Sequence, residues 1–370
     1  MSSAPAVAEV RRRATIHPLR VASVEPLSND AVAVEFEVPA DLADTFRFVQ
    51  GQHVSLRSLQ AGDDVRRSYS LCSPAGSGRL RIAVKFLPGG VFSTFARDTL
   101  RPGDVIEVVT PTGHFNVPID PSTPRSYVMV AAGSGIAPIF SNLATVLEAE
   151  PSSTVTLIYG NRTVADIMFL EELEDLKNAH RERFALYHVL SREEQEVPLF
   201  HGRIDRERFA RFLDTLVPPA LVDEWFLCGP RGLIEDARAE LLARDVDPDR
   251  VHSELFHTES IEQARRVQHD TPAASAGGAT SQITIVLDGR RSTFPLQRSE
   301  RILDGALRVR SDAPYACRGG VCGTCRAKLV EGQVEMEQCY ALEPHEVAAG
   351  FVLACQSHPV TEQVTVEFDQ

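Results

Sequence analysis

The sequence predicts a multidomain fold: an antiparallel β-barrel, an α/β domain with a parallel sheet, and a small α+β domain that is β-grasp-like. Short β-rich runs recur in the first third of the chain, and strand and helix patterns alternate in the middle. A stretch without periodicity then precedes a cysteine-rich segment, and 370 residues exceed what one core usually holds. We expect the barrel over 15–120, the α/β domain over 125–257, a linker over 258–280 and the last domain over 281–370.

The barrel is indicated by six β-rich runs that turn residues separate. The second run alternates cleanly, with Val34 and Phe36 on one face and Glu35 and Glu37 on the other, as half-buried strands do. One helix is expected near residues 93–100. The six runs cover residues 19–27, 31–38, 53–59, 66–73, 79–86 and 105–110.

The α/β domain is indicated by apolar strand patterns that alternate with helical ones. The run at 126–132 is continuously apolar, which is typical of a strand buried on both faces. Alternation of this kind predicts a parallel sheet with crossover helices. Further strands are expected at 154–159, 184–190 and 224–230, and helices at 136–148, 168–180, 206–216 and 233–243.

The last domain is expected to open with a hairpin. Asp288 and Gly289 lie between two strand-like runs within 283–296, and a helix is expected over 299–310. The linker expectation rests on the small, polar stretch at 271–280, TPAASAGGAT.

Charge and hydropathy exclude some classes of function. With 38 Lys and Arg against 51 Asp and Glu, the net charge is −13, which disfavours nucleic acid as a partner. The basic run at 11–13 is too short to change this. No apolar stretch is long enough to span a membrane, and the N-terminus lacks the apolar centre of a signal peptide. We therefore expect no membrane partner and a cytoplasmic location.

Five of the seven cysteines fall between residues 317 and 355. Cys317, Cys322 and Cys325 form C-x4-C-x2-C, and Cys355 follows after 29 intervening residues. This is the plant-type spacing for a [2Fe–2S] cluster, which carries one electron at roughly −400 mV. A zinc site is the alternative, although zinc ligands usually come as two C-x2-C-type pairs. Cys339 fits neither pattern and is expected to be a structural or surface thiol.

Small residues in this segment suit a loop that wraps a cluster. Ala316, Gly319, Gly320 and Gly323 allow the loop to close and allow backbone amides to point at the sulfurs.

A nucleotide site is indicated at the start of the α/β domain. Gly133 and Gly135 follow a predicted strand and open a helix with Pro138, as a loop that approaches a pyrophosphate requires. After the next strand, Asn161 and Arg162 replace the acidic residue that NAD enzymes direct at the ribose, so Arg162 is a candidate for a 2′-phosphate. This favours NADPH over NADH; a solvated loop arginine is the alternative.

The end of the last long strand is a second part of this site. Ligands of open parallel sheets bind at the carboxyl ends of the strands. Cys228, with Gly229 and Pro230 after it, is therefore placed to contact the nicotinamide; a buried structural cysteine is the alternative.

A flavin is expected from chemistry. A nicotinamide delivers two electrons as hydride and the cluster accepts one, so a carrier that handles both must lie between them. Ser68, Tyr69 and Ser70 follow Arg67 on a predicted barrel strand, and residues 89–93 open a helix whose N-terminus could bind an anion. His53 is expected to be a packing residue.

These motifs, in this order, resemble those of the ferredoxin–NADP reductase superfamily. With a C-terminal plant-type ferredoxin, the chain is similar from about 15 to 368 to the one-chain reductases of bacterial oxygenases. The segments RRSYSLCSP, YGNRT and the cluster region 317–359 resemble the reductase subunits of phenylacetyl-CoA epoxidases. That family uses NADPH, FAD and a [2Fe–2S] cluster and supplies a multi-subunit di-iron oxygenase in phenylacetate catabolism.

The resemblance also implies roles for individual residues. Glu254 would assist near the nicotinamide with Ser70 and Cys228, and Phe256 would shield the flavin. The flavin candidates are Arg67, Ser68, Tyr69, Ser70, Gly90, Val91, Ser93 and Phe256. The NADPH candidates are Gly133, Gly135, Pro138, Asn161, Arg162, Cys228, Gly229 and Pro230. The choice of FAD over FMN rests on the resemblance, because no residue excludes FMN.

The function expected from the sequence is therefore an NADPH-dependent oxidoreductase that passes electrons through FAD and a [2Fe–2S] cluster to an oxygenase. Three alternatives stay open. The first is the reductase component of a Rieske-type or other ring-hydroxylating oxygenase. The second is a binding module whose cluster senses redox state, and the third is a structural zinc protein.

Overall fold

The computed structural model describes residues 15–58, 65–256, 279–342 and 344–369. These residues fall into two compact units, one over 17–256 and the other over 279–369. The expected linker lies almost entirely outside the described residues, as does the basic run at 11–13.

A six-stranded sheet forms the first part of the larger unit. Its order is β4-β3-β6-β1-β2-β5, and an antiparallel bridge between Leu71 and Ile82 links the two outer strands, which closes the sheet into a barrel. Val34 and Phe36 point into its core, as the alternation predicted. The strands are β1 (Ile16–Ser28), β2 (Ala31–Glu37), β3 (His53–Ser58), β4 (Val65–Ser70), β5 (Leu80–Lys85) and β6 (Val105–Val109), with helix α1 at Val91–Asp98.

A five-stranded parallel sheet forms the second part of this unit, in the order β11-β10-β7-β8-β9. The predicted run at 126–132 is its central strand, covered on both faces by apolar cores. Its strands are β7 (Ser126–Ala132), β8 (Thr154–Asn161), β9 (Phe184–Leu190), β10 (Glu224–Gly229) and β11 (Val251–Leu255). Its helices are α2 (Ile136–Ala149), α3 (Leu170–Ala179), α4 (Arg206–Thr215) and α5 (Arg231–Leu242).

Helix α2 joins the parallel sheet to the barrel through polar side chains. Ser141 Oγ donates to the carbonyl of Ser73 (2.8 Å), and Asn142 Nδ2 donates to the carbonyl of Phe115 (2.9 Å). The Oγ1 of Thr145 accepts from the amide of Ala75 (2.9 Å). Because these three side chains are buried, their hydrogen bonds fix the helix on the barrel.

The smaller unit is a mixed sheet in the order β13-β12-β18-β14-β16, with a two-stranded β15-β17 ribbon beside it. The parallel β12–β18 pair and the helix packed on β13 give the predicted β-grasp-like arrangement. The strands are β12 (Thr280–Leu287), β13 (Arg290–Gln297), β14 (Arg326–Glu331), β15 (Val334–Met336), β16 (Phe351–Leu353), β17 (Ser357–Pro359) and β18 (Gln363–Glu367). The helices are α6 (Ile302–Val309) and α7 (Pro344–Ala348).

The structure confirms the predicted fold classes and departs from the sequence expectations at short elements. Strand β11 and the strands after the cysteine loop are three to six residues long and carry no pattern that predicted them. No helix among the described residues is long and apolar enough to cross a membrane.

Candidate functional site

A serine of the barrel meets a carboxylate of the parallel sheet. Ser70 ends β4, and its Oγ lies 3.5 Å from Oε2 of Glu254 near the end of β11. Glu254 is in register with Cys228 on the neighbouring strand β10. The structure therefore brings together the three residues predicted to act at the nicotinamide, at the carboxyl edge of the sheet.

Burial changes the protonation of this group of residues. Desolvation raises the pKa of Glu254 to about 8, although the hydrogen bond from Ser70 opposes the shift. Burial also raises the pKa of Cys228, with a further contribution from the nearby Glu254 charge. At neutral pH both side chains are thus mainly protonated, and the site holds a proton next to the Ser70 hydroxyl.

The predicted flavin strand presents an aromatic ring beside this point. Tyr69 packs against Phe92 of α1, with ring centroids 5.3 Å apart, and desolvation raises the pKa of its hydroxyl. Ser68 bonds to Ser55 across β3 and β4 (2.9 Å between the Oγ atoms). Arg67 is exposed and donates to the carbonyl of Arg66 (2.7 Å), which leaves its guanidinium at the surface.

The turn before α1 is built by Ser93. Its buried Oγ accepts from the amide of Leu87 (3.2 Å) and donates to the carbonyl of Gly90 (3.2 Å). A Cβ at Gly90 would lie 2.5 Å from this oxygen, so only glycine fits without a shift. Ser93 thus shapes the loop, while the first-turn amides of α1, beginning at the exposed Val91, remain the groups that suit an anion.

These residues fit a flavin. Its phosphate requires amide donors and a cation, and the start of α1 and the exposed Arg67 supply both types of group. Its ring requires an aromatic face and a hydrogen-bonding edge, which Tyr69 and Ser70 provide on one strand. The individual contacts stay predictions.

The glycine loop after β7 has a steric basis. A Cβ on Gly135 would lie 2.3 Å from the carbonyl oxygen of Cys228, so the start of α2 packs directly on the end of β10. Gly133 has φ +54°, in the left-handed region, and its carbonyl accepts from the hydroxyl of Tyr159 (3.0 Å). Pro138 lies buried in the first turn of α2. The loop therefore sits against the Cys228–Gly229 turn, where Pro230 precedes α5.

Arg162 already has two carboxylate partners. Its Nη2 bonds to Oδ2 of Asp30 from the barrel (2.5 Å) and lies 3.3 Å from Oδ1 of Asp166. These two carboxylates would therefore compete with the 2′-phosphate of a coenzyme for the Arg162 guanidinium. Asn161 lies beside it, buried, with no hydrogen-bond partner for either side-chain amide atom among the described residues.

Arg192 is a second cation at this edge that the sequence reasoning missed. It follows β9, its amide donates to the carbonyl of Arg162 (2.8 Å), and its side chain is exposed. The structure gives its guanidinium no ion pair among the described residues. The sequence contained a signal for Arg192. Ligands of open parallel sheets bind at the carboxyl ends of the strands, and Arg192 follows strand β9 as Arg162 follows strand β8.

The four predicted cluster cysteines are mostly buried and form two pairs. Hydrogen bonding to Cys322 raises the pKa of Cys317. In the second pair the Cys325 thiol bonds to the Cys355 sulfur, which raises the pKa of Cys325 and lowers that of Cys355. Paired thiols suit two irons with two thiolates each. No three His, Cys, Asp or Glu side chains in the described ranges surround a single point as ligands of one metal ion would.

Hydrogen-bond donors point at these sulfurs, as the small residues predicted. The amide of Gly319 donates to Cys317 Sγ (3.3 Å), and the side-chain amide of Gln356 donates to Cys355 Sγ (3.6 Å). Gln356 also donates to the carbonyl of Arg318 (2.8 Å), which ties the loop to the fourth cysteine. Donors of this kind stabilise thiolates and tune a cluster, so the residues present fit a [2Fe–2S] group.

The loop also needs unusual backbone conformations. Gly320 (φ +76°) and Gly323 (φ +63°) lie in the left-handed region, and so does Arg318 (φ +55°), a strained position for a side chain. Cys339 is exposed, in agreement with the expectation of a surface thiol.

Two further residues singled out from the sequence are Phe256, two positions after Glu254, and His53, on barrel strand β3. Phe256 is half-buried, its amide donates to the carbonyl of Gly229 (3.1 Å), and it packs on the core next to β10. Its shielding role stays a prediction. His53 is buried with its Nε2 3.3 Å from Oγ1 of Thr112, which agrees with a packing residue.

Three protein-family models match the chain in order. Residues 18–117 match the oxidoreductase FAD-binding domain, residues 129–239 the oxidoreductase NAD-binding domain, and residues 285–360 the 2Fe-2S iron-sulfur cluster binding domain. The matches cover the barrel, the parallel sheet and the cysteine loop respectively.

Several known proteins match the chain over nearly their whole length. The chain is 42% identical to a subunit of the 1,2-phenylacetyl-CoA epoxidase of Escherichia coli, covering 96% of this chain and 98% of the relative. It is 32% identical to the ferredoxin reductase component of the 3-ketosteroid-9-alpha-monooxygenase of Rhodococcus rhodochrous, covering 95% and 96%. Among solved structures, phthalate dioxygenase reductase is similar with a TM-score of 0.57 at 24% identity, covering 95% and 98% of the two chains.

Proposed function

Because this chain belongs to the family of FAD-, NAD- and [2Fe–2S]-domain oxygenase reductases that includes the 1,2-phenylacetyl-CoA epoxidase relative, we propose that it transfers electrons from NADPH to the phenylacetyl-CoA ring epoxidase. The observation that carries the electron-transfer proposal is the contact of Ser70 with Glu254 beside Cys228. It joins the predicted flavin strand to the nicotinamide edge of the sheet.

The preference for NADPH is supported by the charges at the carboxyl edge. Asn161 ends β8 and Arg162 directly follows it, so no acidic residue occupies the chain position at which NAD enzymes direct one at the ribose, and Arg192 follows β9. A 2′-phosphate is a dianion that arginine binds well. Arg162 and Arg192 are therefore both candidates, and the paired state of Arg162 makes Arg192 the more accessible one.

The residues at the nicotinamide edge would align the coenzyme and exclude water. Ser70 would hold the flavin edge by its hydroxyl, Cys228 would pack against the nicotinamide, and Phe256 would cover the flavin until coenzyme arrives. Desolvation raises the pKa of Glu254 to about 8, so its carboxyl group would keep a proton at neutral pH next to Ser70. Alignment and exclusion of water account for catalysis here, so no nucleophile is needed.

The cofactors supply the redox chemistry. A bound flavin would take up the two electrons of one hydride and release them singly, and a [2Fe–2S] cluster would carry those electrons one at a time. Arg67, Ser68, Tyr69, Ser70, Gly90, Val91 and Ser93 would hold the FAD, and Cys317, Cys322, Cys325 and Cys355 would hold the irons.

The partner is an oxygenase, and we propose the di-iron, multi-subunit type because the epoxidase relative is the most similar of the relatives compared above. We further propose domain limits of 15–120, 125–257 and 281–370 with a linker at 258–280, and a cytoplasmic location where NADPH is available. The reductase of a Rieske-type or other ring-hydroxylating oxygenase is the second candidate, because the chain is also similar to the reductase component of a ketosteroid monooxygenase.

Reconstitution tests the proposal. The purified holoprotein is combined with a phenylacetyl-CoA oxygenase complex, and separately with a ring-hydroxylating Rieske oxygenase, with NADPH as the electron donor. We expect coupled product formation only with the first. Product formation only with the second would replace the proposed partner by the Rieske candidate.

A further inference from the structure

A cluster of four charges joins the barrel to the parallel sheet at the end of β8. Asp30, in the turn between β1 and β2, lies between two cations, with Lys85 Nζ 3.0 Å from its Oδ1 and Arg162 Nη2 2.5 Å from its Oδ2. Asp166 lies 3.3 Å from the same Arg162 nitrogen. The Asp30 side chain is 22% exposed and that of Arg162 is 47% exposed, so the pair is reachable from solvent.

The backbone around Asp30 holds its carboxylate in place. The amide of Asn29 donates to the carbonyl of Ala165 (3.1 Å), and the amide of Phe86 donates to the carbonyl of Asp30 (2.7 Å). The hydroxyl of Ser28 donates to Asp30 Oδ1 (3.1 Å). Backbone hydrogen bonds therefore fix the Asp30 turn next to the 162–166 segment, and this position places the Asp30 carboxylate at Arg162.

The second carboxylate has another task. Oδ2 of Asp166 accepts from the amide and the hydroxyl of Thr163 (3.1 and 2.9 Å), which caps the short turn that follows β8. Its bond to Arg162 is also the longer of the two. The contact that a competing anion would displace is therefore the one between Arg162 and Asp30.

We propose that Asp30 is a specificity-determining latch that occupies Arg162 in the coenzyme-free protein and yields it to the 2′-phosphate of the coenzyme. The inference rests on the proposed NADPH function. A coenzyme without that phosphate leaves the pair closed, so the 162–166 segment stays fixed to the barrel.

Lys85 makes the exchange feasible. A half-buried carboxylate that loses its only cation is unfavourable, but Asp30 keeps Lys85 when Arg162 turns to the phosphate. The arrangement predicts opposite effects for the two partners of Asp30. Removing the Asp30 charge frees Arg162 for the phosphate, whereas removing the Lys85 charge leaves Arg162 as the remaining cation of Asp30 and strengthens the closed state.

Calorimetric titration with two probes tests the latch. The full-length holoprotein is titrated with 2′,5′-ADP, which carries the 2′-phosphate, and with 5′-AMP, which lacks it. For Asp30→Asn we expect 2′,5′-ADP to bind about threefold tighter or more, with 5′-AMP unchanged, because exposed ion pairs are worth up to about a factor of five. For Lys85→Gln we expect weaker binding of 2′,5′-ADP and unchanged 5′-AMP.

Asp44→Asn is the matched control, since it removes one negative charge from an exposed barrel pair with Arg47 and should alter neither titration. Equal shifts for both probes, or no gain for Asp30→Asn, would overturn the latch, and Lys85→Gln gives an independent reading if Asp30→Asn does not fold. Reduction of the wild-type flavin by NADPH under exclusion of air reports the proposed function separately. If Asp30→Asn does not change the binding of 2′,5′-ADP but NADPH still reduces the wild-type flavin, only the latch is rejected and the proposed function stands.

Discussion

Ser70 Oγ and Glu254 Oε2 lie 3.5 Å apart although 184 positions separate them in the sequence. One residue ends a barrel strand and the other lies on the edge strand of the parallel sheet. The contact requires the packing of α2 on the barrel, because Ser141, Asn142 and Thr145 bond to barrel backbone. The proposed site for hydride transfer is thus a consequence of how the two sheets are joined.

The raised pKa of Glu254 predicts a pH dependence of stability. The folded protein holds this proton up to about pH 8, whereas an unfolded glutamate releases it near 4.5, so stability falls as pH rises through that window. We expect the wild type to lose about 1.4 kcal/mol per pH unit more than Glu254→Gln between about pH 5 and 7.5. Thermal unfolding at several pH values measures this; parallel curves for the two proteins would contradict the buried, protonated state.

The arginines at the carboxyl edge predict a selective loss of NADPH affinity. We expect Arg162→Ala, and independently Arg192→Ala, to raise the KM for NADPH about tenfold while changing that for NADH little, because each would remove a proposed charged hydrogen bond to the 2′-phosphate. Steady-state assays with an artificial acceptor and each coenzyme provide the comparison. An equal effect on both coenzymes would rule out a phosphate role for that residue.

The modular organisation predicts that the cluster can be disabled alone. We expect Cys322→Ser to leave reduction of the flavin by NADPH intact and to stop electron delivery to the oxygenase, since one thiolate of the first pair is lost. Stopped-flow absorbance follows the flavin, and product formation follows delivery. Loss of flavin reduction in this variant would contradict independent modules.

Gly135 predicts a steric penalty at the nucleotide loop. A methyl group there would meet the Cys228 carbonyl at 2.3 Å, so Gly135→Ala must displace the start of α2 from β10. We expect a loss of about 1–3 kcal/mol in stability and weaker NADPH binding. Gly232→Ala in α5 is the control, since nothing lies within 4 Å of its Cβ position, and it should be neutral or stabilising by up to about 1 kcal/mol.

A largely buried ion pair lies next to the predicted cluster loop, and we expect its loss to destabilise the smaller unit. Arg326 follows the predicted ligand Cys325, lies over the Phe351 ring and is 3.1 Å from Glu346, with side chains only 15% and 6% exposed. We expect Glu346→Gln to destabilise the smaller unit by about 3 kcal/mol, because it takes a carboxylate away from a largely buried cation. Glu300→Gln, which breaks an exposed pair with Arg308, should change the melting temperature little; equal effects would contradict the role of burial.

The sequence was sufficient for the features that depend on local pattern. The alternation around Val34 and Phe36 predicted a barrel strand, and the apolar run at 126–132 predicted a central parallel strand, because each pattern reports which faces are buried. The C-x4-C-x2-C spacing predicted that Cys317, Cys322 and Cys325 share one short loop, and the structure places Cys355 near them.

What depends on contacts between distant segments could not be predicted. Nothing near Arg162 in the sequence indicates that Asp30, on the other domain, occupies its guanidinium. The polar residues of α2 are likewise buried only because the barrel offers them carbonyl and amide partners. Strand β11 is short and partly polar, so its place at the sheet edge is fixed by register with β10 rather than by its own pattern.

Anaerobic addition of NADPH to the purified protein follows electron transfer from coenzyme to cluster, with flavin absorbance and the electron paramagnetic resonance signal of the reduced [2Fe–2S] cluster recorded together. We expect the flavin to bleach and the cluster signal then to appear in the same polypeptide without any partner. A protein that bleaches but never shows the cluster signal, or that contains no iron and acid-labile sulfide, would contradict this expectation.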